Sequence, residues 1–104
     1  HERSELIIMK DPEYAYYYAR FIIKGRFIEA EPAIIKSPMW AYEYATNIID
    51  GRWIEGEPII INDPRYVCLY AQKVIKGRWP EAEPYIIKDL YWWDWYKRHF
   101  NIDD

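Results

Sequence analysis

The chain has little of what small proteins use for cross-links, metal sites or phosphate cradles. Cys68 is its single cysteine, and it has two histidines and four glycines. One thiol excludes an internal disulfide framework, and with it the disulfide-stapled class of small secreted domains. His1 and His99 have no second metal ligand at a helical spacing, and Cys68 has no histidine near it in sequence. A zinc site and a cysteine nucleophile are therefore poor readings, and no metal or cofactor is expected. A basic excess is missing too: the formal net charge is -3. That gives no footprint for a phosphate backbone and disfavours nucleic acid as a partner. The apolar runs are too short to cross a bilayer, so no membrane span is expected. The first residues, His1-Glu2-Arg3-Ser4, carry neither an initiating Met nor a signal-peptide pattern, and no localisation is read from them.

What is present is apolar and aromatic: 51% and 19% of 104 residues, enough for one domain with one core and too much for a disordered tail. Those residues recur. Sliding the chain along itself gives a match at 26 residues through three units, 11–36, 37–62 and 63–88, without insertion or deletion. Eleven positions hold one residue type in all three, among them Pro12/Pro38/Pro64, Tyr18/Tyr44/Tyr70, Gly25/Gly51/Gly77 and Glu31/Glu57/Glu83. Residues 1–10 align with the second half of a unit and 89–104 with the first half.

Each unit opens on Asp or Ser followed by Pro, an N-cap and a first helical position. Its first segment ends at the glycine, where a left-handed residue is expected. Tyr14, Ala15, Tyr18, Ala19, Ile22 and Ile23, with their equivalents in later units, form a wide apolar stripe expected to face the core. A second, shorter segment follows around Glu-x-Glu-Pro, for which an α-helix and a 3₁₀ turn both fit. The fold class is therefore all-α: a solenoid of about four two-helix units forming a single repeat domain, its hand left open. The final segment places Lys97 and Asn101 where other units have Ala and Ile, as a terminal cap would. The half-units at each end instead suggest head-to-tail stacking, and the capped reading outweighs the filament.

The string Asp63-Pro64-x-Tyr66-x-x-x-Tyr70-Ala71, with Gly77-Arg78-Trp79-Pro80-Glu81-Ala82-Glu83-Pro84, and its weaker forms at 11–32 and 37–58, resembles a family of short tandem repeats from phage, large-virus and environmental sequences. The resemblance covers most of the chain. It implies a helical repeat scaffold without catalytic residues; the first two units depart from it at Ile28 and Ile54, where Pro80 stands in the third.

The glutamate pairs Glu29/Glu31, Glu55/Glu57 and Glu81/Glu83 could be read as acid/base carboxylates. Arg26, Arg52 and Arg78 recur in step with them, so a structural arginine–glutamate ladder between units is the stronger reading. Tyr14, Tyr18, Phe27, Trp53 and Trp79 follow the core period. Tyr16, Tyr17, Phe21 and Tyr42 fall on the variable helix face and are expected to be exposed, with Cys68, at the position of Tyr16 and Tyr42, a partly exposed filler. No nucleophile elbow, phosphate loop or dinucleotide fingerprint occurs, and the chain is read as a non-enzyme.

The leading expectation is a scaffold that binds a protein partner through the face where the units differ: Tyr16, Tyr17, Arg20, Phe21, Met39, Tyr42, Glu43, Asn47, Leu69 and Lys73. Unit charges of 0, -3 and +2 give that surface a lengthwise polarity and favour a protein over a nucleic acid. The rival is a structural subunit that assembles with itself head to tail through Leu6, Ile8, Trp92, Trp93 and Trp95. A third reading, carried only by the resemblance, is a small viral inhibitor of a host protein.

Overall fold

The computed structural model describes residues 10–103, and within them each long helix starts where the sequence places a cap. Asp11 Oδ1 accepts the N–H groups of Glu13 and Tyr14 at 2.9 and 3.2 Å. Ser37 Oγ accepts from Trp40, Asp63 from Arg65 and Asp89 from Trp92. Donors that have no partner inside the helix are satisfied this way, and Pro12, Pro38 and Pro64 fill the first turn, where a missing N–H is harmless. The long helices are α1 (Pro12–Tyr18), α3 (Pro38–Tyr44), α5 (Pro64–Tyr70) and α7 (Leu90–His99). Between them lie short ones: α2 (Glu31–Ile34), α4 (Glu57–Ile60) and α6 (Glu83–Ile86). Each short helix is entered through a 3₁₀ turn, Ile28–Ala30, Ile54–Gly56 or Pro80–Ala82, so the second segment uses both helix types that its sequence allowed.

The first three long helices widen before they stop. Ala19–Ile23, Ala45–Ile49 and Ala71–Ile75 continue as π-helix, a form ordinarily well under 1% of residues. The left-handed residue then falls at Lys24 (φ 60°), Asp50 (φ 58°) and Lys76 (φ 62°), one position before the glycine. The expectation that Gly25, Gly51 and Gly77 adopt that conformation is corrected: none of them has positive φ. The π turn completes the reversal early. Both the left-handed residue and the following glycine then direct their N–H groups to the same alanine carbonyl, Lys76 and Gly77 to Ala71 at 2.7 and 3.1 Å. In α7 the helix stays α, Asn101 takes the left-handed turn (φ 55°), and Ile102 N–H closes on the Lys97 carbonyl at 2.8 Å.

The long helices pack in series, α1 on α3, α3 on α5 and α5 on α7, while each short helix packs on the long helix of its own unit and on the next. The result is an all-α repeat solenoid, with no strand among the described residues. It measures 55 × 21 × 18 Å with a radius of gyration of 15.0 Å, against about 13 Å for a globular chain of this length. Ala15, Ala41, Ala19, Ala45 and Ala71 are fully buried and let the long helices approach closely. Ile34, Ile60 and Ile86 carry the short helices into the core, and Phe27, Trp53 and Trp79 plug the space between units.

The core lies between units rather than inside them, which revises the expected stripe. Tyr14, Ile22 and Ile23 of the first unit are exposed, at 60%, 64% and 41%. Their counterparts further along, such as Trp40, Tyr66, Ile49 and Val74, are half-buried. Trp40 and Tyr66 each lie against a ring of the preceding unit: Tyr16 meets Trp40 at 5.2 Å between centroids and Tyr42 meets Tyr66 at 5.6 Å. Tyr16, Tyr42 and Cys68 were expected on the surface and are buried for this reason. Each is the side chain on which the next unit rests.

Candidate functional site

Three copies of one polar socket hold the units in register. Tyr44 of the second unit reaches back to the first, where its hydroxyl accepts the Phe27 N–H at 2.8 Å and donates to Glu31 Oε2 at 2.6 Å. Arg26 grips the same carboxylate with Nε and Nη2, both at 2.8 Å. Tyr70 repeats this on Trp53, Glu57 and Arg52, and Tyr96 on Trp79, Glu83 and Arg78. The expected arginine–glutamate ladder between units is thereby corrected. Both charges belong to one unit, five residues apart, and the tyrosine crosses to the neighbour.

Burial, and then the adjoining carboxylate, pushes the Tyr44 and Tyr70 hydroxyls well above the ordinary phenol range, and burial leads for Tyr96 as well. Burial alone would raise the Glu31 carboxyl, but hydrogen bonds from Arg26 and Tyr44 outweigh it and hold it below the usual range. For Glu83 the Arg78 hydrogen bond is the leading cause of the same downward shift. A carboxylate held by three donors is saturated, so these sockets hold the frame and are not placed for proton transfer.

Cys68 is equally committed. It is fully buried, its thiol lies 3.5 Å from the Trp92 carbonyl, and burial pushes it up to about 12, which keeps it protonated at neutral pH. Among the described residues no group of three or more His, Cys, Asp or Glu side chains is arranged to hold a metal ion. No helix there is long and apolar enough to cross a membrane.

The residues expected to contact a partner divide into two groups. In the first two units the structure gathers an aromatic cluster. Tyr17 stacks on Phe21 at 6.0 Å and meets Trp40 edge-on at 5.6 Å, and the Arg20 guanidinium lies 5.3 Å over Phe21. Tyr17 and Phe21 are 42% and 57% exposed, and Met39 is exposed next to Trp40 in sequence. Buried Tyr16 supports the cluster from below, its hydroxyl accepting hydrogen bonds from Arg20 and from Asn47 of the next unit. The remaining candidates do not join it. Glu43 accepts from Asn47, Leu69 packs against the core, and Lys73 sits with Thr46, Asp50 and Lys76 around a small hollow.

At the other end Trp92, Trp93 and Trp95 are half-buried. Trp93 stacks on Tyr96 at 5.6 Å and Trp95 on His99 at 4.7 Å. Leu90 and Tyr91 are the exposed apolar side chains there, which the sequence did not single out. Leu6 and Ile8 lie outside the described residues. The sequence reading also missed Trp40, assigned wholly to the core, although its place beside the variable Met39 marks it as a rim residue.

Comparison with family models, with curated proteins and with solved structures finds no match to this chain.

Proposed function

We propose that the protein is a non-enzymatic repeat scaffold that binds a protein partner through the aromatic cluster of its first two units. The observation that carries this reading is the exposure of Tyr17 and Phe21 as a stacked pair with Arg20 above them, on a base fixed by Tyr16. Tyr, Trp, Met and Arg are the side chains enriched where proteins meet, and rigid aromatics lose little conformational freedom on binding. Replacing Tyr17 and Phe21 with Ala leaves the core intact and removes the contact surface. Affinity capture followed by quantitative mass spectrometry, with wild-type and doubly substituted protein side by side, tests it. A protein enriched by the wild type and lost with Tyr17→Ala/Phe21→Ala supports the reading; equal recovery by both overturns it.

A second reading, head-to-tail self-assembly, draws on Leu90 and Tyr91, 85% and 69% exposed near the start of α7. It ranks lower because α7 offers Asp94, ion-paired with Arg98 at 2.9 Å, at the position where earlier units offer a buried ring or thiol. Light scattering over a concentration series separates the two. A constant mass removes the assembly reading, and growth that Trp93→Asp abolishes restores it.

A further inference from the structure

The short-helix side of the solenoid carries two grooves of the same make. One, of about 280 Å³, is lined by Ile28, Glu31, Pro32, Ile35, Trp53 and Glu55. The other, of about 440 Å³, includes Ile54, Glu57, Pro58, Ile61, Trp79 and Glu81, each 26 residues on from its counterpart. The grooves exist because the short helices pack on the long ones rather than against each other. Trp53 and Trp79, both buried, contribute to the grooves, and Ile28 and Ile54, 57% and 62% exposed, stand in solvent at their edges.

Glu31 and Glu57 are held by Arg26 and Arg52. Glu55 and Glu81 are exposed, and although Glu81 also acts on Arg52, each groove keeps one negative charge in excess. No cation lines either groove.

We propose that this side binds an extended peptide segment of another protein, with one apolar side chain seated in each groove and basic side chains between them set against Glu55 and Glu81. Two physical arguments select that occupant. An acidic rim around an apolar floor matches apolar and basic side chains in alternation, and repels an acidic segment. Spacing gives the conformation. Neighbouring helices pack about 8–10 Å apart, and three residues of polyproline II helix advance about 9 Å while returning to the same face. A β-strand would turn the third residue to the opposite face, and the described residues hold no sheet edge for it to join. Proline-rich segments with this period dock in aromatic-lined grooves for the same reason. The proposal goes beyond the aromatic cluster, which is built on the long helices α1 and α3.

The test is fluorescence anisotropy of the whole protein with a labelled peptide of four Leu-Pro-Arg triplets, beside one in which Glu replaces Arg. Saturable binding of the basic peptide, weakened by salt and at least tenfold tighter than that of the acidic peptide, is expected. Ile54→Asp, and separately Glu55→Lys/Glu81→Lys, should each weaken it by at least tenfold, while Tyr17→Ala/Phe21→Ala leaves it unchanged. All these positions are exposed, and far-UV circular dichroism confirms that the variants fold. Absence of saturable binding, equal binding of the acidic peptide, indifference to both groove variants, or loss with the aromatic-cluster variant would each overturn the proposal. The last result would leave the aromatic cluster standing as the binding site.

Discussion

The second and third units and the final helix use the same frame to opposite ends. Two residues after the first aromatic of α3 and α5 stand Tyr42 and Cys68, both buried, and each supports the unit that follows. In α7 that position is Asp94, exposed and paired with Arg98. One turn later Ala45 and Ala71, fully buried, give way to Lys97. The backbone differs as well, since α3 and α5 end in π-helix and α7 ends as α-helix one residue sooner. Yet Tyr96 closes its socket on Glu83 as Tyr70 does on Glu57. The backward-facing half of the unit is thus constant, and only the forward-facing half decides whether a neighbour is accepted.

Exchanging that half should have the largest effect. Tyr42→Asp transplants the side chain of α7 into a buried contact with Tyr66, where it leaves an unpaired charge and a cavity. A loss of about 4 kcal/mol is expected, seen in urea unfolding as a lower midpoint or as separate melting of the chain on either side. An unchanged midpoint would mean that the forward face is not selective.

The constant half is probed by Tyr70→Phe, which leaves the Trp53 N–H buried without its acceptor. It should cost about 1–3 kcal/mol, and Tyr96→Phe a similar amount, since the two sockets share one geometry. A much smaller effect at Tyr96 would make the final socket looser than the inner ones.

The sockets also set a pH range. Glu31 and Glu83 have folded values below the ordinary carboxylate value of about 4.3. Their contribution is present above that value and is lost as the pH falls below it. Tyr44, Tyr70 and Tyr96 are raised, so theirs is present below the ordinary phenol value of about 10 and is lost as the pH climbs past it. Melting temperature should therefore be level between these limits and decline on both sides. Glu31→Gln combined with Glu83→Gln should flatten the acid decline.

The smallest expected change sharpens the contrast in helix ends. Gly77 has no positive φ, and an added Cβ would meet no atom within 4 Å. Gly77→Ala should therefore stabilise by about 0.4–1 kcal/mol through the unfolded chain. A loss in thermal unfolding would instead restore the left-handed glycine that the sequence suggests.

Much of the frame is legible in the sequence because it depends on local chemistry. The caps at Asp11, Ser37, Asp63 and Asp89, the prolines after three of them and the buried alanines follow from residue type and the period of 26. The forward contact does not. Tyr16, Tyr42, Cys68 and Asp94 occupy one position with no shared chemistry, which looks like a surface site. Each interface is packed separately, however, so variation there reflects different neighbours rather than solvent. The aromatic cluster was half visible: Tyr17, Arg20, Phe21 and Met39 were marked by their variability, whereas Trp40 follows the core period and still reaches the rim. The grooves were hidden for the reverse reason, since Ile28 and Ile54 look like core by residue type and are exposed because the short helices do not touch.

The tyrosine socket has a consequence for how long such a protein can be. Each socket joins a tyrosine to the glutamate 13 residues and the backbone N–H 17 residues before it, and it uses no residue from farther away. Inserting 26 residues at a unit boundary adds one socket and leaves the others as they were, and removing 26 deletes one in the same way. Copy number is therefore a free variable of this architecture, and a chain that duplicates or drops a unit in register keeps every remaining polar partnership matched.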